Sequence, residues 1–281
     1  MKWYMIVAGM LFTVSFSIPI VAESVAKKVM VIGGITTIGR ELAKQYIQKG
    51  CKVGFMDDNK VQLEAFQVLE NGALAIQQVD FSDVELSRTK FLQLIEELGG
   101  MDMCIVALSI APEISEYGLL KDGDIPWPLE RQTIAVNVSS TAALMNLALN
   151  YFIDQGMGHL VGVSSLDALH GHPGCPVYTA SKAFMANYLS GMRTKMDLLT
   201  YSDIYITDLR WSFIQDIKQS IAIGWVETPQ EAALHMIEAI NQKKRVAYIM
   251  SRWSFILWGL LAMPSMVKDM LSGVSMLKTS S

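Results

Sequence analysis

The residues with the clearest chemical potential are a tyrosine and a lysine one helical turn apart. Tyr178 and Lys182 are the ends of the run YTASK, in a stretch with a helical pattern. Their spacing predicts that both side chains lie on the same face of a helix. A free tyrosine has a pKa of about 10, which is too high for a base at neutral pH. A neighbouring ammonium group favours the phenolate, so the pair is suited to proton transfer.

Two further polar residues precede this pair at fixed distances. Ser165 lies 13 residues before Tyr178, where the run GVSS ends a predicted strand. Asn137 lies 28 residues before Ser165, in the run NVSS within a predicted long helix. Together the four residues form the candidate catalytic constellation.

The elements that must position these residues alternate between short apolar runs and helical patterns. The predicted strands are Lys28–Ile32, Lys52–Met56, Leu74–Val79, Asp102–Leu108, His159–Ser164, Ile204–Leu209 and Arg245–Met250. The predicted helices are Glu41–Gln48, Val61–Glu70, Val84–Leu98, Leu129–Asp154, Tyr178–Leu199 and Pro229–Asn241. This alternation predicts an α/β fold: a Rossmann-type, doubly wound, seven-stranded and mostly parallel sheet with helices on both faces. One domain over residues 27–250 accounts for it, with a dinucleotide crevice at the carboxyl ends of the strands.

A glycine-rich turn and an acidic residue follow the first two strands. The turn reads GGITTIG from Gly33 to Gly39, and backbone amides at such a turn can approach a phosphate group. Asp57 lies about twenty residues further along, where a carboxylate can accept hydrogen bonds from both ribose hydroxyls of NAD. It would repel the extra phosphate of NADP. The alternative is that Asp57 is a solvated loop residue.

These motifs together resemble those of short-chain dehydrogenases/reductases, over about residues 28–250. The turn is similar to the family's TGxxxGxG pattern, and the four catalytic candidates match the family's Asn, Ser, Tyr and Lys in type and spacing. The resemblance implies an NAD-dependent oxidoreductase, with NADP the less favoured cofactor, that interconverts a secondary alcohol and a ketone.

The resemblance also implies a role for each residue of the site. Tyr178 is the general acid or base, Lys182 lowers its pKa and holds the nicotinamide ribose, Ser165 donates a hydrogen bond to the substrate oxygen, and Asn137 holds a water that links Lys182 to solvent. The implied cofactor contacts are Gly33, Thr36, Thr37, Ile38, Gly39, Asp57, Asp80, Phe81, Ala107, Lys182 and Ile214. The implied substrate contacts are Leu166, Cys175 and Trp211, and no metal is expected.

The sequence departs from the family pattern at cofactor positions. Thr37 stands where the family has its middle glycine, Ala107 and Leu108 lie in the run that replaces the family's NNAG, and Trp211-Ser212 replaces Pro-Gly. These departures support an alternative function: a catalytically weak or inactive family member that senses nucleotide or acts as a scaffold at a membrane.

The composition excludes several classes of protein. The 281 residues are 51% hydrophobic and only 18% charged, which excludes a disordered chain. Three cysteines exclude a disulfide-stapled scaffold, and we expect them to be reduced thiols. A net charge of −4 gives no reason to expect nucleic acid as a partner.

Both ends of the chain are apolar. Residues 1–26 contain an uncharged run from Trp3 to Ala22, which predicts a membrane anchor, with a cleaved secretory signal as the alternative. Residues 251–281 contain an apolar run from Trp253 to Val267, which predicts an interfacial segment, with a helix packed on its own domain or a partner as the alternative. These ends favour a lipophilic substrate and contact with membrane lipid. We expect the catalytic domain on the cytosolic side, or secreted or luminal if the first segment is cleaved.

The resemblance further implies a homodimer formed through the two long helices. Ala180, Ala183 and Met185 are the predicted partner-facing residues, and packing of the same residues against the sheet is the alternative.

Overall fold

The computed structural model describes residues 26–34, 37–70, 74–110, 127–169, 171, 175–211 and 228–249. Within them one seven-stranded sheet has the order β3-β2-β1-β4-β5-β6-β7, and every strand pair is parallel. The strands are β1 Lys28–Ile32, β2 Lys52–Asp57, β3 Leu74–Gln78, β4 Met103–Val106, β5 Gly158–Ser164, β6 Ile204–Trp211 and β7 Val246–Ile249. The predicted doubly wound fold is confirmed, and its sheet is wholly parallel in the part that the structure describes.

The helices lie on both faces of this sheet. They are α1 Ile38–Gln48, α2 Lys60–Leu69, α3 Val84–Leu98, α4 Trp127–Ile134, α5 Thr141–Gln155, α6 Pro176–Leu198 and α7 Pro229–Asn241, with a π-helical turn at Ala135–Ser140 and a 3₁₀ turn at Leu166–Leu169. Side-chain caps fix several of their starts: Asn59 caps α2, Asp83 caps α3, and Thr228 with Glu231 forms a capping box on α7.

Two hydrophobic cores, one on each face, explain why the strands read as continuous apolar runs. In β1, Val29 and Val31 belong to the core that α1, α2 and α7 cover, while Met30 and Ile32 belong to the core under α3, α5 and α6. All four side chains are fully buried. A strand covered on both faces has no polar side to show, which is the pattern expected of parallel sheets.

The predicted long helix Leu129–Asp154 is wrong as a single α-helix. The π-helical turn separates α4 from α5, and Asn137 lies inside that turn. Such turns occur mostly as local irregularities in helices, frequently at functional sites. The helix predicted from Tyr178 starts earlier, at Pro176, because proline is well tolerated in the first helical turn.

The prediction that Met185 faces a partner is also wrong. Met185 is 2% exposed and belongs to the core between α6 and the sheet. Of the other two predicted contact residues, Ala180 is exposed and Ala183 is half-buried.

The predicted membrane segments lie outside the described residues. Residues 1–25 and 250–281 are not among those described, and no helix in the described part of the chain is long and apolar enough to cross a membrane.

Candidate active site

The first turns of α6 carry the tyrosine and lysine. Lys182 is 5% exposed, and its Nζ lies 5.7 Å from the centre of the Tyr178 ring. The same Nζ donates a hydrogen bond to the carbonyl of Val163 in β5, at 3.5 Å. The ammonium group is therefore held between the phenol ring and the carboxyl end of β5, while Tyr178 itself is half-buried.

The two serines at the end of β5 have different surroundings. Ser164 ends the strand, and its hydroxyl donates to the carboxylate of Asp208 on β6. Ser165 is the next residue, is 1% exposed, and accepts a hydrogen bond at its carbonyl from the Ala168 amide at 3.2 Å. It lies two positions beyond Val163, to which Lys182 donates, so the sheet brings Ser165 to the part of α6 that carries the tyrosine and lysine.

Asn137 connects the exit of β4 to α6. Its Oδ1 accepts from the Ile110 amide at 2.7 Å, and its Nδ2 donates to the Ile110 carbonyl at 2.9 Å. The same Nδ2 donates to the Ser181 hydroxyl at 3.1 Å, and Ser181 donates to the Tyr178 carbonyl at 2.6 Å. The amide side chain thus clamps two elements together, and the role of Asn137 in holding a water stays a prediction.

The structure therefore places the four catalytic candidates on elements that pack against one another, and we call this group the catalytic patch. Asn137 reaches α6 through Ser181, and Lys182 reaches the strand end next to Ser165. Sequence reasoning missed Ser181, whose only signal was a polar residue directly before Lys182. A phenol, an ammonium group and a hydroxyl at one strand end can protonate or deprotonate a substrate oxygen and stabilise charge on it.

The glycine turn after β1 is too tight for side chains at its two ends. Gly33 and Gly34 have φ of +78° and +76°, a backbone region that favours glycine. A Cβ on Gly39 would lie 2.1 Å from the Gly33 carbonyl oxygen. The turn is closed by hydrogen bonds from the Thr37 and Arg40 amides to the Gly34 carbonyl, at 3.0 and 3.1 Å.

Thr37 stands in this turn where the family has glycine. Its φ is −140°, outside the left-handed region that favours glycine. Within the described residues its hydroxyl does not cap α1, the helix that Ile38 begins. Helix N-termini leave backbone amides for an anion, so the turn and helix start suit a phosphate group. Thr36 lies outside the described residues.

The predicted ribose and adenine residues lie at the carboxyl ends of β2 and β3. Asp57 is the last residue of β2, is 5% exposed, and accepts from the Asn59 amide at 3.1 Å. Asp80 accepts from the Ser82 amide at 2.8 Å, and this hydrogen bond lowers the pKa of its carboxyl group. Phe81 is 3% exposed, and its carbonyl accepts from the buried Ser140 hydroxyl, which the sequence reasoning also missed.

These positions fit a dinucleotide at the point where the strand order reverses. Ala107 follows β4, and its amide donates to the Ile32 carbonyl at 2.8 Å, beside the glycine turn. In open parallel sheets the ligand crevice lies outside the carboxyl ends of the strands at such a point, here between β1 and β4. If a dinucleotide binds there, the glycine turn and the carboxylate of Asp57 are the groups suited to its phosphate and ribose.

The predicted substrate residues lie at the same edge of the sheet. Leu166 follows Ser165 and is 9% exposed, Cys175 precedes α6 and is 5% exposed, and Trp211 ends β6 and is 8% exposed. The three cysteines, all in the described part of the chain, are outside any disulfide, and burial raises the pKa of Cys51 and Cys104. Ile214 lies outside the described residues.

Known proteins are similar to this chain in sequence or in fold. An uncharacterized oxidoreductase of Myxococcus xanthus is 28% identical over 180 residues, which are 62% of this chain and 68% of that protein. Hydroxysteroid 11-beta-dehydrogenase 1-like protein B of Xenopus laevis is 27% identical over 181 residues, 63% of this chain and 60% of its own. The apo crystal structure of LigD from Sphingobium sp. strain SYK-6 superposes with a TM-score of 0.65 at 17% identity, covering 91% of this chain and 97% of its own, and supports the fold alone.

The sequence profile of the short chain dehydrogenase family matches residues 27–205, well over half of the chain. That span holds β1 to β5, the glycine turn and the four catalytic candidates. The chain therefore belongs to the short-chain dehydrogenase/reductase family, whose members are oxidoreductases that use NAD or NADP.

Proposed function

We propose that this chain is an NAD(H)-dependent oxidoreductase that interconverts a lipophilic secondary alcohol and its ketone. The observation that carries the proposal is the placement of the buried Lys182 ammonium group. It lies 5.7 Å from the centre of the Tyr178 ring and donates to the strand carbonyl two residues before Ser165. A cation in this position stabilises the phenolate that forms when Tyr178 gives its proton away.

Each residue of the patch then has a distinct task. Tyr178 gives a proton to the substrate oxygen during reduction and takes it back during oxidation. Ser165 donates a hydrogen bond to the same oxygen and stabilises its developing negative charge. Asn137 holds the β4 exit against α6 and so keeps Tyr178 in place. The nicotinamide of the bound cofactor supplies or accepts the hydride.

The proposed preference for NAD over NADP rests on Asp57. This residue is 5% exposed at the end of β2, and its carboxylate is suited to accept hydrogen bonds from ribose hydroxyls. A phosphate group on that ribose would meet a like charge in a partly desolvated place, where repulsion is stronger than in water.

The proposed lipophilic substrate rests on the apolar ends of the chain. Residues 1–26 and 251–281 favour contact with membrane lipid, and the buried apolar side chain of Leu166 directly follows Ser165. One relative is named a hydroxysteroid dehydrogenase-like protein, which agrees with an apolar alcohol. We place the catalytic domain at the cytosolic side of that membrane.

The proposed homodimer forms through the two long helices, and an exposed surface on α6 supports it. Leu198 at the end of α6 is 78% exposed, and Leu199 directly after it is 51% exposed. They line a shallow surface groove together with Asn187, Ser190, Gly191, Thr194 and Lys195. Small residues such as Ser190 and Gly191 permit close approach of a second helix.

The first test is a titration of the purified full-length chain with NADH and with NADPH, followed by nicotinamide fluorescence. We expect micromolar binding of NADH and weaker binding of NADPH. The turnover of apolar alcohols and ketones by the protein with its bound cofactor is then compared with its turnover of polyols and sugars. Turnover of polar polyols alone would contradict the lipophilic substrate. Failure to bind either nucleotide would favour the scaffold function, which the departures from the family pattern at Thr37 and Ala107–Leu108 also support.

A further inference from the structure

We propose that Asp208 is a positioning residue that acts through Ser164 to hold Ser165 in place. The expected effect on the reaction rate rests on the proposed function, whereas the expected effect on the backbone around Ser165 does not. Asp208 stands in β6 and is 0% exposed, and the proton transfer described above does not use it. A buried carboxylate needs a cation and hydrogen bonds to offset its lost hydration.

Both oxygens of Asp208 are engaged. Oδ1 accepts from the hydroxyl of Ser164 in β5, and Oδ2 accepts from Nε of Arg210 at 2.9 Å. The Arg210 side chain is 16% exposed, so this is a largely buried ion pair. Because each oxygen is bound to a different group, the carboxylate cannot rotate without losing a charge-assisted hydrogen bond.

The network continues to the edge of the sheet. Arg210 Nη1 donates to the hydroxyl of Tyr248 in β7 at 3.0 Å, and its guanidinium group lies 5.3 Å from the centre of the Tyr248 ring. Strand register brings these residues together, since Ser164 pairs with Arg210 and Arg210 pairs with Tyr248. Three adjacent strands are thus joined by side chains at their carboxyl ends, next to the catalytic patch.

This network holds the end of β5, which Ser165 directly follows. Ser164 is 2% exposed and its hydroxyl is committed to Asp208, which fixes the peptide that joins it to Ser165. Ser165 then begins the turn that the Ala168 amide closes. A group that stabilises charge on a substrate oxygen must be held to within a fraction of an ångström, and a misplacement of about 1 Å can cost about 10²-fold in rate.

The experiment compares Ser164→Ala, Asp208→Asn and the double variant with a matched control, all in the full-length chain. The control is Thr207→Val, which removes another fully buried side-chain hydrogen bond from the same strand, the one that joins Thr207 Oγ1 to His159 Nε2 at 2.8 Å. Four quantities are measured: amide hydrogen exchange over residues 165–169, NADH affinity, and both kcat and KM for NADH-dependent reduction of phenanthrenequinone, an apolar diketone.

We expect exchange of the Ala168 amide to rise about tenfold in Ser164→Ala and in Asp208→Asn, and less than twofold in Thr207→Val. We expect kcat to fall about tenfold in the same two variants, with NADH affinity and KM within about twofold. The double variant should be no slower than the slower single variant, because both substitutions break the same hydrogen bond between Ser164 and Asp208.

Equal exchange and equal kcat in the control and the two test variants would overturn the proposal. If Asp208→Asn does not fold, Ser164→Ala decides alone, because it leaves the Asp208–Arg210 pair intact. If the parent chain neither binds NADH nor reduces the diketone, the proposed function fails, and the exchange data alone still support or refute the positioning of Ser165.

Discussion

We expect the buried His159 to make the folded protein sensitive to acid. This histidine lies in β5, is 6% exposed, and has Nε2 2.8 Å from the Thr207 hydroxyl. Burial, followed by the charges of Lys27 and Lys243, lowers its pKa from 6.5 to about 4. The folded state therefore keeps the imidazole neutral at pH values where the unfolded chain already binds a proton.

The direction of the effect follows from proton linkage. Between pH 6.5 and about 4 the unfolded chain binds more protons at His159, so the free energy of unfolding falls as the pH falls. The contribution of the neutral His159 imidazole to stability is fully present above pH 6.5. At about 1.36 kcal/mol per pKa unit the whole effect is roughly 3 kcal/mol. The part lost between pH 7 and pH 4.5 is about 2.4 kcal/mol by the same linkage relation.

Urea unfolding of the parent chain and of His159→Gln at a series of pH values from 7 to 4.5 measures this quantity. The difference in unfolding free energy between the two proteins should change by about 2.4 kcal/mol over that range, because acid effects on carboxylates are common to both and cancel. His235→Gln is the control, since it removes an exposed imidazole on α7.

A difference between the parent chain and His159→Gln that stays constant within about 0.5 kcal/mol would refute the reasoning, since it would show that the site tolerates a charged imidazole at little cost. If His235→Gln lost the acid effect, that effect would come from His235 and not from His159. Either result can be read without a substrate.

The other predictions concern the active site. Tyr178→Phe removes the hydroxyl that carries the proton, so turnover of the diketone should fall by about 10²–10⁴-fold with NADH affinity unchanged; undiminished turnover would exclude Tyr178 as the proton donor. Asp57→Ala should reduce the ratio of NADPH to NADH dissociation constants at least about tenfold, because an ionic hydrogen bond is worth about 1.5–3 kcal/mol; an unchanged ratio would make Asp57 a bystander. Gly39→Ala places a Cβ 2.1 Å from the Gly33 carbonyl oxygen and should abolish NADH binding. Gly50→Ala, with no atom within 4 Å of its Cβ but a φ of +77°, should lower stability and retain NADH binding; equal affinities would mean that the turn opens freely.

The sequence predicted the fold well because its signals are local. All seven predicted strands occur in the structure with ends shifted by a few residues, and a continuous apolar run is sufficient to mark a strand that is covered on both faces. The spacing of Tyr178 and Lys182 could be interpreted without tertiary information, since one helix holds both residues.

Local patterns were misleading where tertiary contacts change an element. The apolar periodicity of residues 129–154 continues through the π-helical turn, so it did not reveal that Asn137 lies in a widened turn. In the structure this turn is tied from outside, by Asn137 to Ile110 and by Ser140 to Phe81. Met185 is an apolar residue on a helix, which suits an interface and a core equally. Only the packing of α6 on the sheet shows that it belongs to the core.

The sequence by itself determined which residue types could carry out proton transfer, in what order along the chain, and on which kind of sheet. Only the tertiary structure decided which polar groups support them. Ser164 and Asp208 are 44 residues apart, as are Asn137 and Ser181. Whether such groups meet depends on strand register and helix packing, and a shift of one residue along a strand would turn each side chain to the other face of the sheet.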